Sequence, residues 1–186
     1  MADNSAGKSI YKQAGITLDI TEIKTLLAKF GNITPNLLRK SLRRGFASIG
    51  KEVKAIQKSK IRAIEGKRKV GIGFNKKGKP IKNGLEKSIT IKTNVDMKKG
   101  KAYMFVGPKR KASELGYPSK YANYVEFGVK PHKINVNKGR NARRSFRHPG
   151  YKAMPFVAPS YDAVRAKAQR MMIEAMEAAI KESLKK

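Results

Sequence analysis

His132 and His148 are the only imidazoles in the chain, and Ser145 lies three residues before the second. A hydroxyl beside an imidazole is the minimum for nucleophilic catalysis, and two imidazoles are the beginning of a zinc site. The surrounding sequence completes neither. A nucleophile–base pair needs a third group to orient the base and donors for an oxyanion, and no such motif stands nearby. A zinc ion needs one or two further ligands. Cysteine is absent, and Glu126 is the only acid between Glu114 and Asp162. The 13 carboxylates are scattered, which argues against a pair doing general acid–base work. Gly7-Lys8-Ser9 ends like a phosphate-binding loop, but the glycine required five positions earlier is Ala2. Gly71-Ile72-Gly73 lacks the third glycine of a dinucleotide fingerprint, because position 76 is lysine. We therefore expect no catalytic residue, no metal site, no cofactor and no enzymatic activity.

Charge is the stronger signal. Lys and Arg number 43 against 13 Asp and Glu, a net charge of +30. A free monomer so charged repels itself, which points to an acidic partner: nucleic acid, an anionic membrane or an acidic protein surface. The cations cluster at Lys67-Arg68-Lys69, Lys76-Lys77-Gly78-Lys79, Lys109-Arg110-Lys111 and Arg140-Asn141-Ala142-Arg143-Arg144. With Arg39, Arg43 and Arg44 on a long helix, we expect Lys109, Arg110, Lys111, Arg140, Arg143 and Arg144 to contact that partner or DNA. No zinc finger, ribonucleoprotein-type aromatic motif or recognition helix is present, so nucleic-acid contact would be sequence-independent and strongly salt-dependent. From Ser160 onward the net charge is only +2, leaving +28 in residues 1–159. A lone carboxylate among so many cations, Glu126 is expected in an ion pair, within the subunit or across an interface.

The elements that must position these residues follow from periodicity. Residues 1–16 read as an arm, and 17–186 as a single domain with extended loops at 66–84 and 129–147, the second with room for a strand at Ile134 to Val136. Thr21 caps a short helix ended by Gly31. Thr34 then caps a long helix with Pro35 in its first position, where a missing N–H is harmless. Leu38, Leu42, Phe46, Ile49, Val53, Ile56 and Ile61 form its apolar face, and it runs to about Gly66. Ser88 to Thr93 alternates as a half-buried strand, Asp96 to Lys101 turns, and Ala102 to Gly107 returns. Tyr121 to Phe127 makes a short helical turn stopped by Gly128. Pro159, Ser160 and Asp162 open a last helix with Val164, Ala168, Met171, Met172, Ala175, Met176 and Ala179 as its stripe. The expected fold is α+β, a small antiparallel sheet packed by a long N-terminal helix and a C-terminal helix, with long basic loops. No apolar run approaches the ~20 residues of a membrane span. The first residues have no apolar core of a signal peptide, and the cysteine-free composition fits a reducing cytoplasm.

Two segments carry a resemblance. Tyr121-Ala122-Asn123-Tyr124-Val125-Glu126-Phe127-Gly128 is followed, after a loop, by His148-Pro149-Gly150 and by Pro155-Phe156-Val157-Ala158-Pro159, which leads into the last helix. Their order and spacing resemble the tailed-phage head–tail joining or tail-completion (neck) family, the minor tail protein Z-like group. The resemblance spans roughly residues 18–183. Position 129 is Val where the family often has Thr, and this chain is more basic and somewhat longer than is usual there. The resemblance implies a structural virion protein assembled in the host cytoplasm. It would form a homo-oligomeric ring of six or twelve copies that joins portal or connector to tail and lets DNA pass. Tyr121, Val125, Glu126, Phe127, Gly128, His148, Pro149, Gly150, Pro155, Phe156 and Pro159 would have scaffold roles. The lumen would be a place for non-specific DNA contact, with no membrane involved. The alternative reading is a basic protein that binds nucleic acid non-specifically; a toxin or nuclease is a distant third.

Overall fold

The computed structural model describes residues 15–19, 34–67, 84–109, 118–136 and 144–184. The expected helix from Thr21 to Gly31, most of the arm and most of the 66–84 loop lie outside the described residues. The architecture is α+β, as expected, with nine described elements. Helix α1 spans Pro35–Lys67, α2 Gly84–Ser88, α3 Pro118–Phe127 and α4 Ala158–Leu184. Strands β1 (Ile16–Asp19), β2 (Ile89–Asp96) and β3 (Lys101–Pro108) form one sheet, and β4 (His132–Val136) and β5 (Arg144–His148) form a separate ribbon.

Helix α1 starts where its cap dictates: Thr34 Oγ1 accepts the Leu37 N–H at 3.3 Å. Leu38, Leu42, Phe46, Ile49, Val53, Ile61 and Ile64 form its buried stripe. Between Val53 and Ile61 the deeply buried position is Gln57 rather than Ile56, because Gln57 Nε2 donates to Val106 O at 3.0 Å. The stripe covers one face of the sheet, to which β2 contributes Ile89, Ile91 and Val95, and β3 Ala102, Met104 and Val106.

The β2–β3 hairpin matches the alternation in its sequence. Asp96 Oδ1 accepts the N–H groups of Lys98 and Lys99, each at 3.1 Å, and closes the turn. The third strand, β1, departs from the expected arm at 1–16 and domain start at 17. It pairs antiparallel with β3, Ile16 opposite Met104 and Asp19 opposite Lys101, which makes β3 the central strand.

Helix α4 lies antiparallel along α1, and the two glycines of α1 explain how closely the core packs. A Cβ on Gly45 would overlap the Met172 thioether of α4, and one on Gly50 would meet Ile91 Cγ2 at 2.8 Å. Their absent side chains let a helix and the sheet approach, which offsets a helix-propensity penalty of about 1 kcal/mol each. Ion pairs line the α1–α4 seam: Glu182 with Lys40 and Arg44, and Glu52 with Lys167. Among the described residues, no helix is long and apolar enough to cross a membrane.

Candidate interaction site: the Glu126 junction and the basic ribbon

Glu126 lies in the last turn of the short helix α3 and is buried, at 3% of its full exposure. The expected ion pair within the subunit is not what holds it. Its Oε2 accepts the N–H groups of Phe156 and Val157 at 2.7 and 2.9 Å, and its Oε1 accepts that of Ala158 at 3.1 Å. These amides open α4, where backbone donors have no helical partner and the helix dipole favours an anion. The carboxylate is therefore a cap supplied from thirty residues upstream. It replaces the local side-chain cap that α4 lacks, since Val157 and Ala158 carry no oxygen on their side chains. Ser160 completes the turn by donating its hydroxyl to Val157 O at 2.6 Å.

The same junction roots the ribbon. Met154 N–H donates to Val125 O at 2.8 Å, and Val129 and Tyr151 exchange backbone hydrogen bonds at 2.9 and 2.8 Å. The chain leaves and re-enters through two left-handed residues, Gly128 at φ 70° and Gly150 at φ 74°. Both must be glycine for space as well as dihedral. A Cβ at Gly128 would sit 2.7 Å from Tyr151 O and Ala153 N, and one at Gly150 would press into Val129 O and Pro131 N.

Within the basic loop expected at 129–147, the strand at Ile134 to Val136 is present as part of β4, and it has a partner in β5 that was not expected. β4 and β5 pair antiparallel, with His132 opposite His148, Lys133 opposite Arg147, Ile134 opposite Phe146 and Asn135 opposite Ser145. One face carries the two histidines, Ile134 and Phe146, the other Lys133, Arg147 and Ser145. The imidazoles stack with centroids 5.0 Å apart. His148 Nδ1 accepts the Gly150 N–H at 3.0 Å, which fixes its ring at the ribbon's base. Ser145 and His148 lie an odd number of residues apart on one strand and so face opposite sides of the ribbon. Among the described residues the strands pack chiefly on each other, and Phe146 is 52% exposed.

The remaining motif residues divide by role. Val125 and Phe156 are fully buried in the core, Tyr121, Phe127 and Pro159 are half-buried, and Pro149 and Pro155 are exposed at the turns. The expected contact residues scatter. Arg43 is exposed on α1, but Arg44 is engaged by Glu182, and Arg39 is half-buried with its Nε enclosed. Lys109 is exposed, and its backbone N–H donates to Ser88 O at 3.0 Å. Arg144 begins β5 opposite Val136. Arg110, Lys111, Arg140 and Arg143 lie outside the described residues. The structure brings forward Lys133 and Arg147, which sequence clusters did not single out because each stands apart in the chain and meets the other only through the ribbon's register.

Glu86 shows how other acids are used. It is buried at α2, where Arg62 holds it at 2.7 Å and Lys58 stands at 4.0 Å. The Arg62 hydrogen bond holds its carboxyl below the usual range despite burial. Among the described residues no three His, Cys, Asp or Glu side chains converge on a common point. A shallow depression along the sheet, lined by Lys92, Asn94, Tyr103 and Phe105 among others, contains neither a carboxylate nor an imidazole. Comparison with protein-family models, curated proteins and solved structures finds no match.

Proposed function

We propose that this chain is a structural protein of a tailed-phage virion neck, forming a ring of six or twelve copies between the portal or connector and the tail. DNA passes through the lumen, and the protein has no enzymatic activity. The observation that carries the reading is the junction. The two segments that bear the resemblance, Val125–Gly128 and Pro155–Pro159, are hydrogen-bonded into one unit through Glu126, with His148 and Gly150 at its edge. Residues that look like separate short motifs act together: they launch the terminal helix and fix a projecting ribbon relative to it. A rigid body with a projecting element suits head-to-tail ring contacts, in which a surface of one copy meets a different surface of the next and rotation closes the ring.

The test is localisation and assembly. Reconstruction of the virion neck places density for this fold in a ring at the connector–tail joint, and particles lacking the protein accumulate heads and tails that have not joined. A chain that stays monomeric when purified and is missing from the neck of intact particles overturns the proposal. The second reading, a free basic protein coating nucleic acid, is favoured by the ribbon's charge. It predicts that the isolated monomer binds any duplex and has no place in a particle.

A further inference from the structure

The β4–β5 ribbon carries a charge pattern that its own fold does not explain. From Phe127 to Tyr161 the sequence contains no acid and eight Lys or Arg. Register places Lys133 directly opposite Arg147, and both are exposed on the same face as Ser145. Like charges directly opposite across a ladder destabilise it, and a two-stranded hairpin is marginal even without that penalty. Lys130 and Lys152, both exposed, add charge at the base. Elsewhere in the described structure the chain places acids against its cations, as at Glu182, Glu86 and Glu52. The ribbon is left without such compensation within its own sequence.

We infer that the Lys133–Arg147–Ser145 face of this ribbon is a sequence-independent contact for the phosphate backbone of double-stranded DNA. The inference deepens the neck reading by naming what the ribbon touches. Charge complementarity selects the partner. A five-residue ribbon is about 17 Å long. Over that length a duplex presents about ten phosphate charges of one sign, with no cation interleaved. An acidic protein surface seldom offers so uniform a field, whereas a ribbon with no acid meets a polyanion without a repelling contact. Two strands also fit the ~12 Å major groove, whose walls are phosphate. The contact is carried by the Lys133 ammonium and the Arg147 guanidinium on phosphate oxygens, which are the same at every base pair, so it follows DNA of any sequence.

The experiment measures binding of the full-length protein to a mixed-sequence 30-base-pair duplex by fluorescence anisotropy between about 50 and 300 mM salt. Each phosphate contact removed lowers the log–log salt slope by about 0.9, so Lys133→Ala with Arg147→Ala lowers it by about 2. At 0.1 M salt that variant binds roughly 60-fold more weakly, about eightfold per contact. Phe146→Ser on the opposite face and Arg165→Ala on α4 leave the slope unchanged. Because the ribbon packs chiefly on itself and the double variant removes a like-charge pair, that variant melts no lower than the parent, which is measured alongside. A double variant with the parent's slope overturns the inference. So does an equal fall from Arg165→Ala, which would make the effect one of net charge. Polyglutamate of matched charge competing as well as DNA overturns it in favour of an acidic protein. The neck reading is tested separately on virions: a ring at the neck with an unchanged slope removes only the ribbon–DNA contact, and a reduced slope without a ring removes only the neck assignment.

Discussion

The Tyr161 hydroxyl accepts the Val106 N–H at 2.7 Å and donates to Val106 O at 3.2 Å. A side chain of α4 thereby stands where a strand partner would stand. β1 pairs with β3 only as far as Met104, so the next outward-facing backbone groups on that edge belong to Val106. Gln57 adds a second donor to the same carbonyl. One strand, α1 and α4 are thus tied at a single residue inside the core.

Replacing Tyr161 with Phe leaves the Val106 N–H buried and unpaired, and lowers stability by about 1–3 kcal/mol at neutral pH. Burial pushes the Tyr161 hydroxyl well above its ordinary value of 10.0, outweighing the opposing effect of the Val106 hydrogen bond. The folded state therefore keeps the proton after the unfolded chain has lost it. The contribution is fully present below the unfolded pKa of about 10, then falls by about 1.4 kcal/mol for each pH unit above it. Urea melts of the two proteins should show a gap that narrows from pH 10 upward; a constant gap contradicts the assignment.

Removing the Glu126 carboxylate with Ala strands three amides at the start of α4 and destabilises the protein by about 3–5 kcal/mol. Gln retains one acceptor oxygen but turns an N–H toward a donor, and costs about 2 kcal/mol. Amide hydrogen exchange at Phe156 and Val157 accelerates in the Ala variant before that of the α1 core. Equal protection at those two amides in the variant and the parent would disprove the capping role.

Gly150→Ala forces a Cβ into Val129 O and Pro131 N and adds left-handed strain of about 1–2 kcal/mol. The expected total is about 2–4 kcal/mol, with the Val129–Tyr151 hydrogen bonds lost first. Gly128→Ala acts the same way, against Tyr151 O and Ala153 N. A melting temperature within a degree of the parent for both variants would mean that the ribbon's base is not held as described.

Gly45 meets the flexible end of Met172, so Gly45→Ala trades steric displacement against about 1 kcal/mol of helix propensity and is near neutral. Gly45→Val overpacks the α1–α4 seam by about 1–3 kcal/mol. Adding Met172→Ala to Gly45→Val recovers part of the loss, a coupling visible in a double-mutant cycle. Strict additivity would place the two residues out of contact.

Glu86→Gln reports on acid stability. The Arg62 partner holds the folded carboxyl below its ordinary value of 4.5, so its contribution is complete above the unfolded pKa and disappears as pH falls through the lower folded one. The parent loses this share of stability below about pH 4.5. The Gln variant lacks that share at every pH, and its acid melt is correspondingly flatter. Parallel acid titrations of the two proteins would show that Glu86 gains nothing from Arg62.

The amino-acid sequence by itself determined the long elements. The apolar spacing of Leu38 to Ile61, the Thr34–Pro35 start, the alternation of Ile89 and Ile91 and the stripe of α4 are local patterns, legible because each repeats with the period of its own structure. The helical turn at Tyr121 to Phe127 and its stop at Gly128 were legible for the same reason, though α3 begins earlier, at Pro118. Tertiary structure alone decided the rest. β1 is four residues long and exists because β3, far away in sequence, offers it an edge, with Ile16 opposite Met104 and Thr17 opposite Tyr103. Lys133 and Arg147 become one face only through register. Glu126 looked like one half of an ion pair because its partners in the fold are backbone amides, and a backbone amide carries no residue identity for a sequence to display. The chain writes down which side chains must be buried and where helices begin; which amides will need an anion, and which cations will stand together, is set only when distant segments meet.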